Sequence, residues 1–167
     1  NDLMCRLKVD GPDDTWKRLQ EILAWFDATQ AEGGYRAYYG KDPSRGTMQG
    51  GNVPGGLGLD KEFFESILVP QVMLYGFLGF EPTPSGFKLH PRLPQDWPEA
   101  TIARVHWHDA VMDLTAKADG TIVIRAERAS DLPAVIELPQ GTWQTKAPGA
   151  QVGDNRVIVP LLAGVIE

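Results

Sequence analysis

Residues 99–127 read EATIARVHWHDAVMDLTAKADGTIVIRAE. Apolar and polar residues alternate through most of this stretch. Successive side chains of a strand point to opposite faces, so a period of two predicts half-buried strands at 101–109, 110–117 and 121–127. Ala118-Asp119-Gly120 supplies a turn between the last two, with Asp-Gly as the local hairpin signal. Two later runs, AVIELP at 134–139 and NRVIVPLL at 155–162, extend the pattern. Turn signals every ten residues or so predict an antiparallel β-sandwich over residues 99–167.

Upstream of residue 99 the periodicity is different. Residues 13–32, DDTWKRLQEILAWFDATQAE, place Trp16, Leu19, Leu23 and Phe26 at three-to-four spacing, the apolar stripe of a helix. Ile22 and Trp25 widen that stripe, so the helix is expected to pack on more than one side. Asp13 or Asp14 can cap its start, and Gly33-Gly34 can end it. A second helix is predicted from Asp60, over DKEFFESILVPQVMLYGFLGF, with a kink or break at Pro70. Between the two runs a long segment, 35–59, in a chain where half of the eighteen glycines lie between residues 33 and 58. Structureless loops of that length are commonly functional. Residues 81–98, EPTPSGFKLHPRLPQDWP, carry five of the thirteen prolines and read as an ordered connector. The predicted class is therefore α+β. Its parts are a helical segment at 1–81 with a Gly-rich loop at 33–59, a Pro-rich connector at 82–98, and a sandwich at 99–167. Thirteen of the fifteen Phe, Trp and Tyr residues precede residue 100, which agrees with two architectures in one chain.

Composition narrows the function. The chain has 167 residues, a net charge of −6, and acids and bases mixed along its length. A nucleic-acid binder would need a basic face, so nucleic acid is not an expected partner. No run of about 18 apolar residues is present, so no membrane span is expected. The opening NDLMCRLKVD has neither an initiator Met nor the apolar core of a signal peptide and reads as an internal or processed start. The lone Cys5 excludes an internal disulfide and a cysteine-based zinc cluster. There is no G-x-S-x-G elbow, P-loop or dinucleotide fingerprint, and no cofactor is called for.

Gly79-Phe80, then LHPRLPQDWP at 89–98, then IARVHWHD at 102–109 form a longer pattern. It resembles the C-terminal end of bacterial (α/α)-barrel glycoside hydrolases and their phosphorylase relatives, of the maltose- and kojibiose-phosphorylase, rhamnosidase and fucosidase types. In those families the last barrel helices end at a similar P-x-LP-x-x-W passage, and an aromatic-bearing strand then opens a C-terminal sandwich. The likeness covers residues 60–125 well and the remainder by architecture. It implies terminal helices of an (α/α) barrel followed by an antiparallel β-sandwich, a carbohydrate substrate, and packing against the remainder of a parent polypeptide or a partner chain. It also implies a periplasmic or secreted bacterial location. The family's general acid belongs to an earlier barrel helix, so this chain would be incomplete on its own.

The same resemblance directs attention to Asp60, Glu62 and Glu65, since late inter-helix loops line the cleft and some members place the base there. Inverting glycosidases work with two carboxyl groups about 6.5–9.5 Å apart. Glu62 and Glu65 share a helix face, and a helix N-terminus favours the ionised form that a base needs. Glu62 or Asp60 is thus a candidate base or sugar-hydroxyl ligand; Asp60 is equally suited to N-cap the helix, with both glutamates as ordinary first-turn acids. Glu65, nearer the apolar stripe, needs a partner such as Arg36 or Arg45 if buried. Tyr35, Tyr38 and Tyr39 can pack on the C–H faces of sugars, or wedge between helices. Arg36 can pair with the carboxylate of a uronic acid. Gln49 and Asn52 are further candidate hydroxyl ligands on the same loop.

His106 and His108 flank Trp107 and, on strict alternation, share a face; with Asp109 or Asp113 they form a weak metal pattern, and no metal site is assigned. His90 reads as a hydrogen-bonding residue of the connector. Two other functions fit the sequence. One is a non-catalytic carbohydrate-binding domain, for which only Trp107 and Trp143 could supply an exposed aromatic in the strand region. The other is a structural or interaction domain that buries its apolar helix faces against a partner.

Overall fold

A computed structural model of the chain describes residues 2–34, 37, 41, 65–161 and 164–166. The fold is mixed α+β. Helices α1 (Asp2–Val9), α2 (Pro12–Ala31) and α3 (Glu65–Gln71) precede nine strands, and α3 runs on into a π-helical turn at Val72–Phe77. The strands are β1 (Phe80–Thr83), β2 (Gly86–Leu89), β3 (Glu99–Trp107), β4 (Ala110–Lys117), β5 (Ile122–Arg128), β6 (Pro133–Glu137), β7 (Gln151–Val152), β8 (Arg156–Pro160) and β9 (Gly164–Ile166). They make a five-stranded sheet in the order β1-β2-β6-β8-β7 and a four-stranded sheet in the order β3-β4-β5-β9.

The alternating stretch does what its period dictates. Strand β4 turns Ala110, Met112, Leu114 and Ala116 inward, and β5 adds Ile124. From the other sheet, Phe87, Leu89, Ala134, Ile136, Val157 and Val159 join the same cluster, so the two sheets share one core. Each large side chain fully enclosed here contributes about 1.5–3 kcal/mol relative to exposure. The expected Asp-Gly turn joins β4 to β5, where the Asp119 carboxylate accepts the Thr121 N–H at 2.8 Å.

Strict alternation fails at one point in β3. A bulge lies between Ile102 and Val105, and Arg104 sits there at φ 58. The extra residue resets the register, so Ile102, Val105 and Trp107 all pack on the core despite their odd spacing. Asp113 stabilises the bulge by accepting the Arg104 N–H at 2.9 Å, and the Arg104 guanidinium reaches Glu127 on β5.

Two expectations are corrected in the five-stranded sheet. Strand β2 pairs with β6 in parallel, so the strands are not uniformly antiparallel. Strands β1 and β2 form an antiparallel hairpin, most of it within 82–98, which reads in sequence as connector alone. Prolines hid it. Pro82 is tolerated because β1 is an edge strand, where a missing N–H leaves no ladder bond unmade. Gly86 is required by the parallel pairing, since a Cβ there would lie 1.8 Å from the Val135 carbonyl oxygen.

The helical layer is smaller. Helix α2 follows the predicted span, but Gly11, not an aspartate, occupies the cap position at φ 93, with Pro12 opening the helix. The two aspartates serve tertiary contacts instead: Asp14 accepts from Arg6 at 2.8 Å and Asp13 from the Gln95 N–H at 2.7 Å. Gly33 and Gly34 take the left-handed backbone expected of a helix stop. The first half of the α2 stripe is enclosed, with Leu19 buried against Leu3, Leu7, Val72 and Phe77. Farther along, Leu23 and Phe26 are 36% and 37% exposed. Helix α1 has no counterpart in the sequence reading; its signal is the pair Leu3 and Leu7, one turn apart and both buried. Pro70 lies inside α3, and the change to wider π-helical pairing follows two residues later.

Candidate functional site

The carboxylates Asp60 and Glu62, together with Tyr35, Arg36, Tyr38, Tyr39, Gln49 and Asn52, lie outside the described residues. Glu65 is the first residue of α3, with only its backbone described. The described residues do locate the frame that follows this segment. The chain leaves the π-helical turn through Gly79, at φ 67, where a Cβ would meet the His90 carbonyl oxygen at 2.2 Å. That close approach aligns the passage 89–98 against the helix end: His90 N–H donates to Gly79 O at 3.1 Å, and Arg92 N–H to Phe77 O at 2.7 Å.

The P-x-LP-x-x-W passage then fastens the helices to the sheets. Trp97 stands 5.0 Å from Trp16 on α2 and 5.0 Å from Phe77 at the end of the π-helical turn, centroid to centroid. Arg92 donates to Leu7 O of α1 at 3.3 Å, and Pro98 O accepts the Ala118 N–H of the β4–β5 turn at 2.9 Å. Aromatic pairs at such distances add about 0.5–1.5 kcal/mol beyond burial, so this passage ties both layers together rather than bridging them loosely.

Histidine chemistry finds no support. The two-residue turn after Trp107 separates the imidazoles: His106 stays in the strand, whereas His108 takes φ 49 in the turn and its Nε2 lies 3.0 Å from Pro84 O. Among the described residues no group of three or more metal-ligating side chains comes together. Asp113 is engaged at the bulge. His90 contributes to the connector through its backbone, as above. No helix among the described residues is long and apolar enough to cross a membrane.

A cleft of about 460 Å³ lies elsewhere, between the two sheets. Its floor includes Ile124, Ile136 and Val159, all buried. One wall is the β4–β5 turn from Asp119 to Thr121; the other is the segment from Thr142 to Lys146, between β6 and β7. Trp143 packs partly on the core and donates its indole N–H to Pro139 O at 2.8 Å, within its own loop. Hydrogen bonding from the Thr121 backbone and side chain holds the Asp119 carboxyl below its usual value of 3.8, so it is ionised at neutral pH. Of the two aromatics that follow residue 100, Trp107 is only 4% exposed and is bound through its indole N–H to Thr83 O. Trp143 alone of the pair faces a cleft. The sequence singled out Trp143 by scarcity; its polar neighbours carried no periodic signal because they belong to a loop.

Comparison of the chain with protein-family models, curated proteins and solved structures gives no match.

Proposed function

We propose that this chain is the C-terminal portion of a carbohydrate-active glycoside hydrolase. In this reading the helices are the last of an (α/α) barrel, the two sheets form a β-sandwich that braces it, and residues 35–60 line the sugar cleft. Glu62, with Asp60 as the other candidate, activates water or holds a sugar hydroxyl, and the tyrosines of 35–39 flank the sugar ring.

The observation that carries this reading is the junction. The residues on which the family resemblance rests, Gly79 and the passage 89–98, are the ones that hold helices and sheets together through Trp97, Arg92 and Pro98. A passage that braces a barrel must be held at both ends, and this one is, by Arg92 and Trp97 on the helices and Pro98 on the sheet. The helical layer adds support: Leu23 and Tyr75 expose apolar surface of the kind that neighbouring barrel helices would cover.

The test is Glu62→Gln in the intact parent protein, with aryl glycosides as substrates. Loss of an acid–base group lowers turnover at least about a hundredfold with folding intact. Unchanged turnover assigns Glu62 to the helix start alone and leaves a non-catalytic carbohydrate-binding or structural domain as the better description.

A further inference from the structure

The cleft between the sheets has walls of unlike origin. The β4–β5 turn supplies Asp119 and Thr121, and the loop beyond β6 supplies Thr142, Gln144 and Lys146. Its volume of about 460 Å³ falls within the range of small-molecule sites. Three features define what it can hold. Trp143 is anchored by the bond from its indole N–H to Pro139 O, so its ring is a fixed surface rather than a mobile one. The rim carries one acid, Asp119, and one base, Lys146, so it has no net charge to select an ion. Gln144 and Lys146 are exposed and project donors and, for Gln144, an acceptor at the mouth. A long aliphatic ligand would leave these rim groups without matching polar partners, and a charged one would meet a charge of its own sign on one side.

We propose that this cleft binds a neutral saccharide, with the Trp143 ring as its platform and Asp119, Thr142, Gln144 and Lys146 as ligands for its hydroxyls. Sugar C–H faces pack on indole, while the hydroxyl rim bonds to mixed donors and acceptors. The site is separate from the segment 35–65 of the proposed catalytic cleft, and it stands or falls independently of the Glu62 experiment.

The test is fluorine NMR of the protein labelled with fluorotryptophan, with the Trp143 resonance assigned by its loss in Trp143→Phe. Maltose, cellobiose, glucuronate and dodecanoate are titrated separately. A saturable shift of the Trp143 resonance with maltose or cellobiose is expected, and Gln144→Ala and Lys146→Ala should each raise the apparent Kd up to about tenfold, the effect of one lost hydrogen bond. Both substitutions are at exposed positions, so an unchanged melting temperature shows that the fold is retained. A Trp143 resonance unmoved by either neutral sugar overturns the proposal. So does a response to dodecanoate or glucuronate without one to the neutral sugars, or sugar binding that neither substitution weakens.

Discussion

In the sheets, Met112, Leu114, Ala134 and Val159 are completely enclosed, whereas in the helical layer Leu23, Phe26 and Tyr75 remain more than a third open to solvent. The sheets bury their inner faces against each other and form one core with Trp107, Phe87 and Leu161. The helices have a smaller cluster around Leu19 and Phe77, completed by Trp97 from the connector. Two sheets with matched apolar faces are self-sufficient, because each supplies the surface that the other must cover. A pair of helices with wide apolar stripes is not, since each stripe needs several neighbours. The contrast separates a layer that supplies its own core from one that, among the described residues, leaves part of its apolar stripe exposed.

Four experiments would break or sharpen that contrast. Two effects of similar size lead, the first at Gly86. Gly86→Ala drives a methyl into the Val135 carbonyl and forces β2 from β6, lowering stability by about 3 kcal/mol in chemical denaturation. A loss within experimental error would mean that the parallel pairing is not needed for the sheet. Next come matched core truncations, Leu114→Ala in the sheets and Phe77→Ala at the helix junction, each expected to lose about 3 kcal/mol. If Phe77→Ala leaves the denaturation midpoint unmoved, the helical cluster is not coupled to the sheets through Trp97.

A smaller effect is expected at Leu23→Ala, within about 0.5 kcal/mol, because exposed positions away from special features rarely matter more. A loss as large as that of Leu114→Ala would reveal that another surface covers the second half of α2. The smallest effect concerns pH. Asp119 has a lowered folded pKa through hydrogen bonding from Thr121, so its stabilising contribution is complete above the ordinary value of 3.8 and fades as pH falls through the folded value. Protection of the Thr121 amide, its exchange measured relative to the intrinsic rate at each pH, should therefore fall on acidification below about pH 4 in the native protein. In Asp119→Ala that pH dependence should vanish; its persistence would assign the acid response to another carboxylate.

The strands were legible because a period of two is a local property. Strands β4 and β5 with their Asp-Gly turn lie where 110–117 and 121–127 alternate, and α2 follows its three-to-four stripe. What escaped sequence reading was non-local. The β1–β2 hairpin was masked by Pro82, harmless only because β1 is an edge strand, and by Pro84 in the turn, and edge position is a property of the assembled sheet. Asp13 and Asp14 look like helix caps, yet Gln95 and Arg6 claim them across the tertiary structure. The end of β3 at Trp107, with His108 at φ 49 in the turn, took His106 and His108 out of the alignment that strict alternation predicts.

For function the division is similar. Residue types and spacing were enough to nominate Asp60, Glu62 and the tyrosines of 35–39, all outside the described residues, and to mark Trp143 as a rare late aromatic. Period, turn chemistry and composition by themselves determined an α+β chain with strands after residue 98 and a net charge of −6. Only the tertiary structure decided that β2 runs parallel to β6, that Trp107 is core while Trp143 faces a cleft, and that residues 89–98 clamp helices to sheets. The reason is physical: a backbone period is set by neighbours along the chain, whereas pairing partners, edges and clefts are set by segments that meet only after the chain has folded.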